Sequence, residues 1–137
     1  MIRALLKFLG RRGADDPEGV LAPAAFAKAL ERECVRADRT GRPVSLVLIR
    51  KVPPAAPPKR GPDALQRAAG VLVGRVRCTD VVGRPEHGGL GLILSDTTPE
   101  GAWRVVDRLK AQVGELAGDD MACEVRTYPF AEARGHA

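Results

Sequence analysis

The chain has 137 residues, enough for one domain with a single hydrophobic core. Apolar residues make up 45% and charged residues 28%, a balance that excludes a disordered chain, while aromatic residues at 4% argue against a base-stacking platform for single-stranded nucleic acid. The net charge of +5 suits an anionic partner such as a nucleotide, a nucleic acid or an acidic membrane surface. Cys34, Cys78 and Cys123 are odd in number and far apart, so neither a disulfide framework nor a zinc site is expected. They read as small core residues of a cytoplasmic protein.

Met1–Arg12 sets Ile2, Leu5, Leu6 and Leu9 at helical spacing, with Arg3, Lys7, Arg11 and Arg12 between and after them. Two roles fit this short basic segment: a peripheral membrane contact, or a helix packed on its own domain or on a partner. It is too short and too charged for a secretory signal. Gly10–Gly19 is a polar, glycine-rich hinge, so residues 1–15 are set apart from the domain. A helix is predicted from Pro23 to Arg39, with proline in the first turn, Phe26, Leu30 and Cys34 on one face, and Thr40-Gly41-Arg42-Pro43 as its stop. Val44–Ile49 is a continuous apolar run, the mark of a strand buried on both faces.

Val52–Pro62 carries five prolines and reads as an irregular loop. Asp63 is predicted to cap a second helix reaching Arg77, with Leu65, Ala69, Leu72 and Val76 as its buried stripe. Asp80–Gly83 and Leu90–Ser95 are predicted as two strands around a turn containing Gly88 and Gly89. Thr98-Pro99-Glu100 opens a third helix whose apolar face is read as Trp103, Val106, Leu109 and Val113, and a strand at Cys123–Tyr128 closes the fold before a tail at 131–137. The order βαββαβ behind a leading helix predicts an α/β (α+β) fold, a ferredoxin-like or palm-like sheet with helices packed on one face.

Asp80–Thr97 resembles the hairpin of GGDEF domains, the catalytic modules of diguanylate cyclases. The run holds an Asp before the strand, an Arg, a five-residue signature, an apolar strand and a closing Asp-Thr, without a gap. The likeness extends over a domain assigned to residues 16–130, through the opening turn at Asp16-Pro17, the first long helix with its Gly-Arg-Pro stop, and the helix after the hairpin. The signature positions are Glu86, His87, Gly88, Gly89 and Leu90. Where active members place two carboxylates that bind metal and help activate the 3′-hydroxyl, this chain has Gly88 and Gly89. Where active members end the first strand on a magnesium-binding Asp, it has Arg50, and a cation cannot replace a hard oxygen ligand. The guanine-reading segment beyond that strand is replaced by the shorter Pro-rich loop. The resemblance therefore implies a degenerate domain with no catalytic residues, no metal, no cofactor and no enzyme activity.

Many GGDEF domains also carry an inhibitory site for their product, marked by Arg-x-x-Asp ending five residues before the signature. Arg77 and Asp80 stand there. With seventeen Arg and nine Asp in the chain the bare pattern occurs four times, so position in the register, not the pattern, singles this pair out. The same register places Arg108 on the helix after the hairpin and Arg36 on the first long helix, as the family's further ligand arginines. An arginine fork suits guanine O6 and N7 or a phosphate, and an aspartate suits the N1 and N2 protons of guanine. In this reading Arg77, Asp80 and Arg108 address one guanine of cyclic di-GMP, and Arg36 of a second chain bridges to the other half of an intercalated ligand dimer.

Singly, these residues have plainer roles: Arg77 and Asp80 as a surface ion pair worth under ~1 kcal/mol, and Arg36 and Arg108 as solvated helix faces. His87 reads as an exposed turn residue, since no Cys or carboxylate pair stands near it. The resemblance implies a catalytically inactive cyclic di-GMP receptor acting through a protein partner or a ligand-induced homodimer. The rival readings are a nucleotide-independent interaction scaffold using residues 1–12 and a cationic nucleic-acid binder, the latter disfavoured by the scarce aromatics.

Overall fold

A computed structural model describes residues 16–51, 64–117 and 121–130. The segment Met1–Arg12, the hinge as far as residue 15, the Pro-rich loop, the Asp63 cap and the tail at 131–137 lie outside the described residues, as does the side chain of Val113. In chain order the elements are β1 (Val20–Leu21), α1 (Pro23–Thr40), β2 (Val44–Lys51), α2 (Ala64–Arg75), β3 (Val81–Gly83), β4 (Leu90–Ser95), α3 (Pro99–Ala117) and β5 (Met121–Tyr128). The strands form one sheet in the order β1-β3-β4-β2-β5. β1 runs parallel to β3 and every other neighbouring pair is antiparallel. The β2-α2-β3 and β4-α3-β5 crossovers each step over one strand, so two βαβ units interleave in the expected ferredoxin-like plan.

Sequence determines which face each strand residue serves. Along β2, Val47 and Ile49 join the core under α2 and α3, with Leu65, Ala68, Ala69 and Leu72 from α2 and Ala102, Val106 and Leu109 from α3. Val44 and Leu46 point the other way, toward Phe26 and Ala29 of α1. The expectation of helices on one face is thus corrected. A strand apolar on both sides needs cover on both, and α1 supplies the second layer. Phe26 lies across Gly83 and Gly91, which face each other in the β3–β4 register, and a Cβ on either glycine would strike its ring. Buried Ser45 is satisfied: its hydroxyl donates to the Thr97 carbonyl at 2.8 Å and sits 2.8 Å from Thr127 Oγ1.

α1 starts with proline in its first turn and stops at Gly41, whose φ of 75° lets its N–H reach the Ala37 carbonyl. α2 ends at Arg75 rather than Arg77 because residues 77–80 form their own turn, in which the Asp80 N–H bonds the Arg77 carbonyl. Trp103 is 44% exposed, not part of the apolar face; the buried stripe runs through Ala102, Val106 and Leu109, one position away. Cys78 is exposed and departs from the core role expected of it, whereas Cys34 and Cys123 are half-buried free thiols whose pKa values burial pushes up. No helix among the described residues is long and apolar enough to cross a membrane.

Candidate functional site

α2 and α3 lie side by side on the sheet, and where they part a cleft of about 490 Å³ opens. Its floor is apolar, from Leu72, Val76, Val105 and Leu109. Its rim carries Arg75, Arg77, Arg104 and Arg108 against two acids, Asp80 and Asp96. Arg104 and Arg108 stand one turn apart on α3, so their side chains reach the same side of the helix. Of the four residues assigned to the ligand from the sequence, the fold brings Arg77, Asp80 and Arg108 to this cleft.

Arg77 and Asp80 are clasped together. The guanidinium donates from Nε to Oδ2 and from Nη2 to Oδ1 of Asp80, both at 3.0 Å. Nη2 also meets the Ser95 carbonyl at 2.9 Å and Thr97 Oγ1 at 3.0 Å. Asp80 further accepts the backbone N–H groups of Arg77 at 3.2 Å and of Ser95 at 3.3 Å. The side chains differ sharply in exposure, 57% for Arg77 and 3% for Asp80. The bond to Asp80 raises the Arg77 pKa above its ordinary value, against an opposing effect of burial. The plain ion pair anticipated from sequence is therefore present, but anchored to the sheet rather than lying loose on the surface.

Arg36 does not line the cleft. It sits on α1, half exposed, with Nη1 3.6 Å from Glu33 Oε1. Glu33 Oε1 in turn accepts the Ser95 hydroxyl at 2.8 Å, so Arg36 is joined to the clasp through two side chains. Sequence reasoning missed Arg75 and Arg104, although Arg104 stands four residues before Arg108 on one helix, a spacing that signals a shared face. It also missed Ser95 and Glu33, whose roles depend on contacts 62 residues apart in sequence.

The opposite end of the sheet holds the signature positions. Gly88 and Gly89 have φ of 97° and 84°, in keeping with their reading as turn chemistry, and His87 is exposed at the tip. A Cβ on Gly89 would run into the Ile49 carbonyl and lie 3.2 Å from Arg50 Cγ. Arg50 Nη2 contacts Glu124 Oε1 at 3.0 Å, and Arg126 Nε donates to Oε2 of the same carboxylate at 2.6 Å. These bonds, that from Arg126 foremost, hold the Glu124 carboxyl below its ordinary pKa. Arg84 grips buried Asp16 through Nε at 2.8 Å and Nη2 at 2.6 Å, and its Nη1 meets the Gly89 carbonyl at 3.0 Å.

No family model and no curated protein matches the chain in sequence. Solved structures match in fold. The coiled coil and GGDEF domain of DgcB from Caulobacter crescentus, in complex with c-di-GMP, is 11% identical with a TM-score of 0.74, over 92% of this chain and 73% of that one. Diguanylate cyclase SiaD of Pseudomonas aeruginosa, in complex with its activator SiaC, is 19% identical with a TM-score of 0.66, over 98% of this chain and 57% of that one. A DGC protein from Thermotoga maritima is 20% identical with a TM-score of 0.64, over 77% of this chain and 79% of that one. The fold of this chain is that of the GGDEF domains.

Proposed function

We propose that this chain is a receptor for cyclic di-GMP built on a GGDEF-like fold, without cyclase activity, that signals through self-association or a protein partner. One observation carries the reading: Arg77, Asp80 and Arg108 converge on a single cleft in which four arginines face two acids. Such a surplus attracts a phosphodiester, and guanidinium planes can stack on bases where aromatics are few. Arg36, turned to the other side of the sheet, would serve a ligand shared with a second copy. The DgcB complex with c-di-GMP supports this ligand for the fold, and the SiaD complex with SiaC supports a protein partner.

The absence of cyclase activity is part of the proposal. Arg50, already engaged with Glu124, stands where the resemblance calls for a metal-binding Asp, and Gly88 and Gly89 stand where it calls for carboxylates. A positive guanidinium there repels magnesium rather than holding it.

Calorimetric titration of the full chain with cyclic di-GMP, with GTP as control, tests the receptor reading. Micromolar or tighter binding that Arg77→Ala abolishes is the expected result. No heat at high ligand concentration would defeat it and favour a nucleotide-independent scaffold. Incubation with GTP and magnesium followed by chromatography tests the second half: any accumulation of cyclic di-GMP would overturn it.

A further inference from the structure

The hydrogen bonds of Asp80 determine what it has left for a ligand. A carboxylate offers about four lone-pair positions. Asp80 accepts four bonds, from Arg77 Nε and Nη2 and from the backbone N–H groups of Arg77 and Ser95. Its side chain is only 3% exposed. Nothing on it remains to receive the N1 and N2 protons of a guanine while the clasp is closed. Arg77 is complementary: Nη2 is occupied by Asp80, the Ser95 carbonyl and Thr97 Oγ1, Nη1 has no partner among the described residues, and the side chain is 57% exposed. What it offers the cleft is one nitrogen and a flat cationic face.

We propose that Asp80 is a positioning residue, which locks the plane of Arg77, and that the site therefore binds cyclic purine dinucleotides with little discrimination at the guanine 2-amino group. The inference rests on the cyclic di-GMP reading above and changes the role that the resemblance implied for Asp80. Stacking on the Arg77 face is indifferent to base identity, because every purine has a π-face. Phosphate contacts from Arg104 and Arg108 are indifferent too. A group that reads the guanine 2-amino edge would have to come from elsewhere, since the clasp that fixes Arg77 uses up the one carboxylate buried at the cleft among the described residues.

The test compares cyclic di-GMP with its inosine analogue, cyclic di-IMP, which lacks only the 2-amino group, by calorimetry on the full chain and on Asp80→Asn. A carboxylate receiving that amino group would favour cyclic di-GMP about tenfold or more. The expected result is affinities within about threefold of each other for the wild type, and a parallel loss of about tenfold for both ligands in Asp80→Asn as Arg77 is released. A wild-type preference of about tenfold or more for cyclic di-GMP would overturn the proposal while leaving the receptor reading intact. That comparison needs no variant, so it stands even if Asp80→Asn folds poorly. Failure of both dinucleotides to bind would overturn the proposal and the receptor reading together.

Discussion

The two ends of the sheet carry similar numbers of arginines and use them differently. At the hairpin end Arg84 is closed onto Asp16, whose side chain is fully buried, and Arg50 and Arg126 share Glu124. There, charge holds the chain in place. At the cleft end Arg77 is closed onto Asp80 and Arg42 reaches Asp96 at 3.9 Å, but Arg75, Arg104 and Arg108 have no ion-pair partner among the described residues. The difference separates two uses of arginine that composition cannot distinguish. A guanidinium answered from within the fold stabilises it, and one left facing a cleft awaits an anion from outside.

If that division is right, substitutions at the two ends should move different observables. The largest effect is expected from Arg84→Ala, which removes the bidentate grip on a buried carboxylate and should lower stability by about 3–5 kcal/mol in urea unfolding. Cyclic di-GMP affinity, measured below the unfolding transition, should stay within about twofold of wild type. Arg108→Ala should do the reverse, weakening cyclic di-GMP about tenfold or more through loss of a charged hydrogen bond and changing stability by less than about 0.5 kcal/mol. A common drop in both observables for both variants would erase the distinction. Salt sharpens it further. Raising ionic strength from about 0.05 to 0.5 M shortens the screening length severalfold, so the dissociation constant should rise about three- to tenfold while the unfolding midpoint barely moves.

Most of the architecture was legible in the sequence, because the signals were local. Pro23 and Gly41 bracket α1, the unbroken apolar run Val44–Ile49 marked a strand buried on both faces even though helices were expected on only one, and Gly88-Gly89 supplied a hairpin turn with positive φ. β1 escaped notice because two residues carry no periodicity. Trp103 misled because it and Val106 are three apart, a spacing that fits a stripe equally well when centred one residue away. The candidate site was legible in part, as a set of residues that the fold brings to one cleft. Register brought out Arg77, Asp80 and Arg108, but the bonding of Asp80 was not readable, since one of its donors is the backbone of Ser95, fifteen residues on and across a strand. Arg75 enters the cleft only because α2 and α3 pack side by side, which no motif encodes.

The smallest expected effect returns to the hairpin end. Arg126 and then Arg50 lower the Glu124 carboxyl from its ordinary value of 4.5. A carboxyl whose folded pKa is lowered contributes stability above its unfolded pKa and loses it as pH falls through the folded one. The contribution should therefore be complete at neutral pH and fade only below about pH 4.5. Glu124 is 34% exposed, so solvent screening limits the pair to well under ~1 kcal/mol. Urea unfolding of Glu124→Gln at pH 7 should show that small loss, and the gap to wild type should narrow toward pH 3, where the wild-type carboxyl also takes up its proton. Because Gln keeps the side chain's shape, a loss that stayed constant across this range would assign the residue's effect to packing against β2, not to charge. A narrowing gap would confirm that even the weakest arginine contacts at this end serve the fold.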